Sequence, residues 1–259
     1  MKNSGNFLSI DKLNRFPQLV HAFSPREFVN EAGEREEFLL GRPGDPKTSA
    51  RHRTVLFQML SLASNEIYFT RQVHGDRVFV LNNPELLPAQ VELEEADALI
   101  THLTGKPIAV LTADCVPILL YDPDQHVAGV VHAGRKGTQR AIISKVISMM
   151  VKVYGVLPDS LRLAMGPAIG GCCYEVGEDC IEPFRRNFPD WKSWITPHSG
   201  DKYRLDLLKA NEAESVRAGV LPENIFRSGE CTSCNNDRWF SYRREGTTGR
   251  MVSLAMLLP

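Results

Sequence analysis

The sequence predicts a mixed α/β fold, a single layered domain of sheets flanked by helices over residues 1–259. Short apolar runs alternate with turn residues in the first half of the chain, and longer segments with helical spacing follow. The chain contains no Gly/Ser-rich linker, internal repeat or low-complexity tract that would divide it. Because its length is sufficient for one large hydrophobic core, one domain is the simplest organisation.

The predicted strands are runs rich in Val, Ile and aromatic residues, whose length and composition are typical of buried strands. In chain order they cover residues 19–23, 66–70, 77–81, 97–101, 107–112, 116–122, 127–133, 161–170 and 249–257. Apolar residues with helical spacing predict helices over residues 138–154, 177–187 and 205–218. Thr138 is the expected N-cap of the first of these helices, and Gly155 is placed to end it.

The composition favours a small-molecule partner. Thirty Lys and Arg residues balance 31 Asp and Glu residues, so no charge surplus exists to attract nucleic acid or an anionic membrane. The chain has neither an apolar run of membrane-spanning length nor a secretory signal, and we expect a cytoplasmic protein. Two acidic stretches, residues 31–37 and 92–97, are expected to be solvated surface. The sequence does not predict the oligomeric state.

Three local patterns place chemically capable side chains at predicted strand ends. His74 lies in QVHGDRV, Cys115 follows Asp114 in TADCVPILLYD, and His132 ends a strand in VAGVVHAGRKGT. A thiolate and two imidazoles suit Zn²⁺, with copper as the second candidate. Three protein ligands also leave a fourth position open, as catalytic zinc sites do. We therefore predict a metal site formed by His74, Cys115 and His132.

The residues alone leave two other interpretations of this group open. Cys115 and one histidine can form a nucleophile–base pair that Asp114 orients. Alternatively, the histidines are hydrogen-bonded structural residues and the cysteine is an inert core thiol. The long sequence separations do not decide among the three interpretations.

The segment that follows His132 is a candidate anion site. Gly134-Arg135-Lys136-Gly137-Thr138 leads into a predicted helix N-terminus, where free backbone N–H groups and the helix dipole favour anions. Arg135 and Lys136 add positive charge, although a solvent-facing basic turn would read the same way.

Three further features involve cysteines and arginines. Cys172 and Cys173 lie in the glycine-rich segment GPAIGGCCYEVG, and residues 231–234 form a C-x-x-C pair. A C-x-x-C pair is typical of half a structural zinc site or of a redox pair, and the sequence offers no clear second half. Arg243 and Arg244 are either a second anion contact or ordinary surface arginines.

Taken together, the motifs resemble one family, the YfiH or laccase-domain family, which is also called the multicopper polyphenol oxidase or purine nucleoside phosphorylase family. The similarity runs in order from about residues 19–24 to the C-terminus. The motifs that carry it are QVHG (72–75), ADALIT (96–101), TADCVPILLYD (112–122), VHAG (131–134), GPAIGGCCYEVG (166–177), ECT (230–232) and FSYRREGTTGRM (240–251).

The resemblance implies a YfiH-like layered α/β domain and a Cys-His-His metal site at His74, Cys115 and His132. It also implies zinc-dependent phosphorolysis of adenosine, inosine and methylthioadenosine, together with adenosine deamination. Copper-dependent oxidation of phenols and correction of peptidoglycan precursors are further activities connected with the family.

The chain departs from the family pattern beside the predicted metal site. It reads HAGRKGT where the family usually reads HAGWRGT, so Arg135 replaces Trp and Lys136 replaces Arg. Loss of the indole removes a flat apolar surface, and Lys lacks the bidentate geometry of Arg. The segment SPREFVNEAGE (24–34) also differs from the family's glycine-rich pattern. The predicted ligands are retained, so these departures concern the choice of substrate.

The sequence thus predicts a zinc-dependent purine nucleoside enzyme. Arg53, Lys136 and Arg243 are the expected phosphate-binding residues, and Asp114 and Glu175 are candidates for the general acid by residue type alone.

Three alternatives remain. Cys115 can act as the nucleophile of a hydrolase or amidase on a peptidoglycan precursor. A copper-dependent phenol oxidase ranks lower, because one such site lacks the several copper centres that laccases use to reduce oxygen. The last alternative is a non-catalytic protein that binds a metabolite or a partner.

Overall fold

The computed structural model describes residues 7–40, 45–62 and 66–259. Its strands are β1 (Leu19–Phe23), β2 (Glu27–Val29), β3 (Arg35–Glu37), β4 (Val78–Leu81), β5 (Ala98–Thr101), β6 (Ile108–Thr112), β7 (Val116–Asp122), β8 (Val127–Ala133), β9 (Arg162–Met165), β10 (Glu175–Val176), β11 (Ile195–Pro197), β12 (Tyr203–Leu205), β13 (Ile225–Arg227) and β14 (Met251–Leu257). Its α-helices are α1 (Pro46–Met59), α2 (Pro88–Val91), α3 (Arg135–Gln139), α4 (Ile142–Tyr154), α5 (Glu178–Asn187), α6 (Leu207–Arg217) and α7 (Tyr242–Glu245).

A mixed six-stranded sheet in the order β13-β9-β7-β8-β5-β4 forms the central layer. Strand β8 runs antiparallel to both β7 and β5, and β9 runs antiparallel to β7. The outer pairs, β4 with β5 and β13 with β9, are parallel. The beginnings of β4, β5 and β7 and the ends of β8, β9 and β13 therefore lie along the same side of the sheet.

Both faces of the central sheet are buried. Val116, Ile118 and Leu120 of β7 pack in the core that contains α4, α5 and α6. The alternate residues Leu119 and Tyr121 pack against a three-stranded sheet of order β1-β14-β6. A strand covered on both faces needs apolar residues at every position, which explains why β7 reads as one continuous apolar run.

A further layer covers the outer face of the three-stranded sheet. Val252 and Leu254 of β14 contact a cluster that includes Phe38 from beyond the β2–β3 hairpin and Leu56 and Phe57 from α1. Among the residues that the structure describes, no helix has the length and apolar character needed to cross a membrane. The mixed α/β class and the layered arrangement predicted from the sequence are confirmed.

Two predicted elements were wrong. Residues 66–70 form no strand. Tyr68 makes an isolated bridge to β6, and two residues later the Thr70 hydroxyl donates to the carbonyl oxygen of Ala96. The helix predicted from residue 138 is two helices, since Ala141 has a φ of +54° and interrupts the helical backbone. Thr138 is a buried residue of α3 rather than an N-cap.

Two local signals mark helix ends. Gly155 ends α4 in the left-handed conformation with a φ of +70°, as predicted. Helix α1 was not predicted, although Asp45 caps it by accepting a hydrogen bond from Thr48 N and a proline follows the cap.

Candidate metal centre and its pocket

The structure brings His74, Cys115 and His132 together on the side of the central sheet where β7 begins and β8 ends. Cys115 lies directly before β7, His132 is the penultimate residue of β8, and His74 lies in the loop before β4. One candidate ligand atom of each residue lies within 4.8 Å of those of the other two. The two imidazole rings meet edge to face, with centroids 4.7 Å apart. The group can hold a metal ion.

The space between the three side chains and their exposure fit a bound metal ion. A Cβ atom at Gly134 would lie 3.0 Å from Cys115 Sγ and 3.1 Å from His74 Cδ2, so glycine keeps the space between the ligands open. His132 is buried, Cys115 is partly buried and His74 is exposed. The group is therefore anchored in the protein and open on one side, as a three-ligand site with a free fourth position requires.

Asp97 fixes two sides of this group. Its Oδ1 atom lies 2.7 Å from His132 Nδ1, and its carboxylate accepts backbone hydrogen bonds from Val73, His74 and Gly75. Because Nδ1 of His132 is occupied, Nε2 remains for a metal. The loop that carries His74 is thereby tied to the same carboxylate that orients His132.

The fully buried position of Asp97 corrects the expectation that residues 92–97 are solvated surface. Sequence reasoning missed this residue, although it stands directly before the apolar strand β5 in the ADALIT motif. Burial opposes ionisation of the carboxyl, but the His132 hydrogen bond and charge and the backbone amides outweigh it and lower the pKa of Asp97.

Electrostatics favour a thiolate at Cys115. Burial opposes ionisation, but the neighbouring charge and hydrogen bond of His132, with a further contribution from His74, lower the pKa of Cys115 to about 6. Burial likewise opposes the charged form of His132, yet Cys115 and Asp97 raise the pKa of His132 to about 9. A thiolate is the form of cysteine that binds metals and attacks electrophiles.

The loop that carries His74 has an unusual backbone conformation and packs closely against α3. His74 itself has a φ of +58°, in the left-handed region that few non-glycine residues adopt. A Cβ atom at Gly137 would lie 2.7 Å from the carbonyl oxygen of Gly75, so glycine at position 137 lets α3 approach this loop. The loop is thus held between Asp97 and the first turn of α3.

A pocket of about 1400 Å³ opens in front of the three candidate ligands. All three predicted phosphate-binding residues, Arg53, Lys136 and Arg243, line this pocket. Arg71 and Arg250 line it too, and no sequence signal beyond their charge pointed to them. Since few acidic side chains share the lining, the pocket suits an anionic group.

Asp114 holds two pocket walls together. Its Oδ1 accepts a hydrogen bond of 2.6 Å from the Thr232 hydroxyl, and its Oδ2 accepts one of 2.6 Å from the backbone N–H of Arg243. Its carbonyl oxygen accepts a bond of 2.9 Å from Ile169 N. Both carboxylate oxygens are therefore engaged by the protein, an arrangement suited to positioning.

Two of the arginines that line the pocket, Arg243 and Arg53, lie against aromatic rings. The Arg243 guanidinium donates to the carbonyl oxygen of Glu175 at 2.7 Å and lies 4.9 Å from the ring centroid of Tyr174. The Arg53 guanidinium lies 5.7 Å from the ring centroid of Phe69. Arg53 Nε is buried and has no hydrogen-bond partner among the described residues, which leaves a donor beside the pocket.

Two residues considered from the sequence are not part of the pocket lining. The Glu175 carboxylate lies 3.3 Å from His198 Nε2, and the Arg244 side chain donates to the carbonyl oxygen of Ser233. The side chain of neither residue is among those that line the pocket. Arg135 does line it, at the position where the resemblance expected a tryptophan.

A family model described as multi-copper polyphenol oxidoreductase laccase matches residues 21–258. The chain is 37% identical over 243 residues to a purine nucleoside phosphorylase of Deinococcus radiodurans, covering 92% of this chain and 90% of that protein. It is 36% identical over 200 residues to adenosine deaminase RL5 of an unknown prokaryotic organism, with 75% and 76% of the two chains covered.

Solved structures show the same fold. The hypothetical protein YfiH of Bacillus licheniformis matches with a TM-score of 0.88 and 29% identity over 98% of this chain and 99% of that one. YlmD from Geobacillus stearothermophilus matches with a TM-score of 0.85 and 28% identity, over 94% and 93% of the two chains. The resemblance drawn from the motifs is confirmed, and the chain belongs to the laccase-like YfiH family.

Proposed function

We propose that this chain is a metal-dependent purine nucleoside enzyme, which cleaves adenosine, inosine and methylthioadenosine by phosphorolysis and deaminates adenosine. One observation carries the proposal: the group of His74, Cys115 and His132 faces the same pocket as three basic side chains placed for an anion. The relatives named purine nucleoside phosphorylase and adenosine deaminase support this combination of activities.

In phosphorolysis, an oxygen of inorganic phosphate attacks C1′ of the ribose while the bond from C1′ to the purine nitrogen breaks. The bonding electrons leave with the purine, which takes up the proton that the phosphate loses and is released as the free base. The other product is ribose 1-phosphate, or 5-methylthioribose 1-phosphate from methylthioadenosine. Arg53, Lys136 and Arg243 bind the phosphate and neutralise its charge beside the ribose. The unpartnered Nε of Arg53 supplies a donor without breaking an existing hydrogen bond.

The purine requires an apolar or aromatic surface in the same pocket. Phe69, Tyr174 and Tyr242 line it and provide such a surface. Asp114 acts in this scheme by position: it holds the backbone of Arg243 on one side and Thr232 on the other. The distance between the phosphate-binding arginine and the metal ligands is thereby fixed.

In deamination, water adds to the purine carbon that bears the amino group, and ammonia leaves to give inosine. A zinc ion bound by two imidazoles and a thiolate would lower the pKa of water to about 7, and the chemistry it would supply here is hydroxide at neutral pH. His74, Cys115 and His132 would hold that ion, and Asp97 would orient His132 and raise its basicity as a ligand. Copper remains the alternative ion for this donor set.

The same residues support a second candidate function, a Cys115 hydrolase or amidase. His132 lies between Cys115 and Asp97, the order of a nucleophile, its base and an orienting carboxylate. The exposed imidazole of His74 has no role in such a triad, whereas it completes a metal site. The metal-dependent reading therefore uses all the side chains that the structure brings together.

The test is incubation of zinc-loaded protein with adenosine and phosphate, followed by chromatography of the products. We expect adenine and ribose 1-phosphate, inosine, or both, with the Cys115→Ala variant as the background control. Absence of all these products while zinc remains bound to His74, Cys115 and His132 refutes the proposal. A trapped acyl-Cys115 adduct with a peptide or amide substrate would support the hydrolase instead.

A further inference from the structure

A second group of metal-ligating side chains lies outside the site described above. Cys172 and Cys173 lie in the segment that follows β9, and Cys231 and Cys234 lie in the segment that follows β13. The four sulfur atoms all lie within 4.8 Å of one another. We call these four residues the cysteine cluster.

From this geometry we infer that the cysteine cluster is a structural site for a single Zn²⁺ ion. Four thiolates at about 2.3 Å from a central zinc ion lie about 3.8 Å from one another. The Sγ distances are 3.8 Å between Cys172 and Cys173, 3.7 Å between Cys172 and Cys234, and 3.4 Å between Cys173 and Cys234. The spacing therefore corresponds to one tetrahedral ion, whereas a disulfide would bring a single pair to about 2 Å.

The backbone around the cluster is shaped to present sulfur atoms to one point. Both pairs lie on tight turns, with Cys173 N donating to the carbonyl of Gly170 and Asn235 N donating to the carbonyl of Cys231. Gly170 N also donates to Cys231 Sγ at 3.3 Å, the kind of outer hydrogen bond that orients metal-bound thiolates. A Cβ atom at Gly170 would lie 3.1 Å from Cys172 Sγ, so glycine leaves room for the sulfurs.

A divalent ion also suits the chemistry of the four side chains. Cysteine binds metals as the thiolate, and a divalent ion stabilises the deprotonated form of each thiol that coordinates it.

The position of the cluster gives the ion a structural role. Cys231 bridges Ala168, which joins the segment after β13 to the segment after β9. Thr232, next to Cys231, bonds the Asp114 carboxylate, and Tyr174, next to Cys173, faces the Arg243 guanidinium. A zinc ion here would fasten the segment after β13 to the segment after β9, which contributes Ile169 and Tyr174 to the pocket lining. It would have no open position, as structural zinc sites do not.

Metal analysis of the full chain, grown with zinc and purified without chelator, tests the inference. We expect two zinc ions per chain in the wild type, one in Cys234→Ser, one in Cys115→Ala and none in the double variant. Cys180→Ser is the matched control and should retain two, because Cys180 lies outside both groups. One zinc per chain in the wild type, lost in Cys115→Ala but kept in Cys234→Ser, overturns the inference and leaves the proposed function intact.

A second measurement on the wild-type protein covers the case in which a variant does not fold. The cysteine cluster should resist alkylation in zinc-loaded protein and react after a strong chelator removes the ion, whereas Cys180 reacts in both states. Protection that is released by a reductant and not by a chelator would show a disulfide and overturn the inference. Iron in place of zinc at the same stoichiometry would overturn the assignment of the ion.

Discussion

Asp97 accepts a hydrogen bond of 2.7 Å from Nδ1 of His132 and binds the backbone of the His74 loop with the same carboxylate. One buried anion therefore sets the orientation of two of the three candidate metal ligands. An amide at this position would present an N–H₂ group to donors that already point inward, leaving at least one of them unpaired.

We predict that Asp97→Asn weakens zinc binding at the His74 site by about 10- to 100-fold, because carboxylates of this kind orient the ligating imidazole. Competition with a chromophoric chelator measures the change. Glu95→Gln is the control, since Glu95 is paired with Arg71 at the surface of the same segment. Equal zinc affinity in Asp97→Asn and Glu95→Gln would contradict the prediction.

Removal of a ligand should abolish both the ion and the activity. We predict that His74→Ala and Cys115→Ala each lose one zinc ion per chain, and that turnover falls by about 1000-fold or more, since a catalytic ion contributes several kcal/mol. Elemental analysis and product chromatography measure the two effects. Unchanged metal content in both variants would refute the metal site and favour the Cys115 nucleophile.

Two members of the His74 group, Cys115 and His132, could be recognised because each is associated with a strand that is buried on both faces. Cys115 directly precedes β7, and His132 is the penultimate residue of β8. Both strands are buried at every position. The antiparallel pairing of those strands then brings their opposite ends together, with Pro117 opposite His132. Local pattern and sheet geometry therefore pointed to these side chains, whereas the preference for a metal site over a nucleophile or a structural group came from the family resemblance.

Asp97 and the cysteine cluster were not predictable in the same way. Asp97 follows Glu94 and Glu95 in the sequence, and its burial depends on the amide of Gly75, which lies 22 residues earlier in the chain. The two halves of the cysteine cluster meet only because β13 pairs in parallel with β9. Such long-range pairings leave no periodic signal in a single sequence. Ala141, whose left-handed φ splits the predicted helix, is a similar case.

The pocket arginines give a direct test of phosphate binding. We predict that Arg243→Ala raises KM for phosphate by about 10- to 100-fold, since a hydrogen bond to a charged group contributes about 1.5–3 kcal/mol. The backbone bond from residue 243 to Asp114 does not involve the side chain and should persist. Initial rates at varied phosphate concentration measure the effect.

The matched control for that variant is Arg244→Ala, because the adjacent arginine contacts the Ser233 carbonyl and does not line the pocket. We expect its KM for phosphate to stay within about twofold of the wild type. A similar rise in both variants would point to disruption of α7 rather than to loss of a phosphate contact.

The replacement of the family's tryptophan by Arg135 should alter substrate preference. We predict that Arg135→Trp lowers KM for the nucleoside by about tenfold, because stacking on an aromatic ring contributes about 1–3 kcal/mol per base. It should also raise KM for phosphate, since one positive charge leaves the pocket. Steady-state kinetics with each substrate varied in turn measure both effects.

Arg140→Trp is the control for Arg135→Trp, because Arg140 follows the same helix but points to Asp76 at the surface. We expect both KM values to remain unchanged in this variant. If Arg135→Trp also leaves both KM values unchanged, residue 135 does not contact substrate.

A buried histidine outside the candidate metal site should make folding stability depend on pH. His21 in β1 accepts a hydrogen bond of 2.9 Å from Ile10 N at its Nε2, and burial lowers the pKa of His21 to about 4. Between pH 6.5 and 4 the unfolded chain binds a proton at this residue and the folded chain does not, so stability falls as the pH falls. The shift corresponds to about 3 kcal/mol lost across that window.

We predict that His21→Asn flattens the dependence of the unfolding free energy on pH between 6.5 and 4, because the titrating group is gone. Urea denaturation at a series of pH values measures the slope for each protein. His102→Asn, at an exposed histidine, serves as the control and should keep the wild-type slope. Linkage requires the unfolding free energies of the two proteins to depend differently on pH wherever His21 is protonated only in the unfolded chain. If the His21→Asn slope equals that of the wild type, the prediction is wrong and the acid sensitivity of the fold arises at other residues.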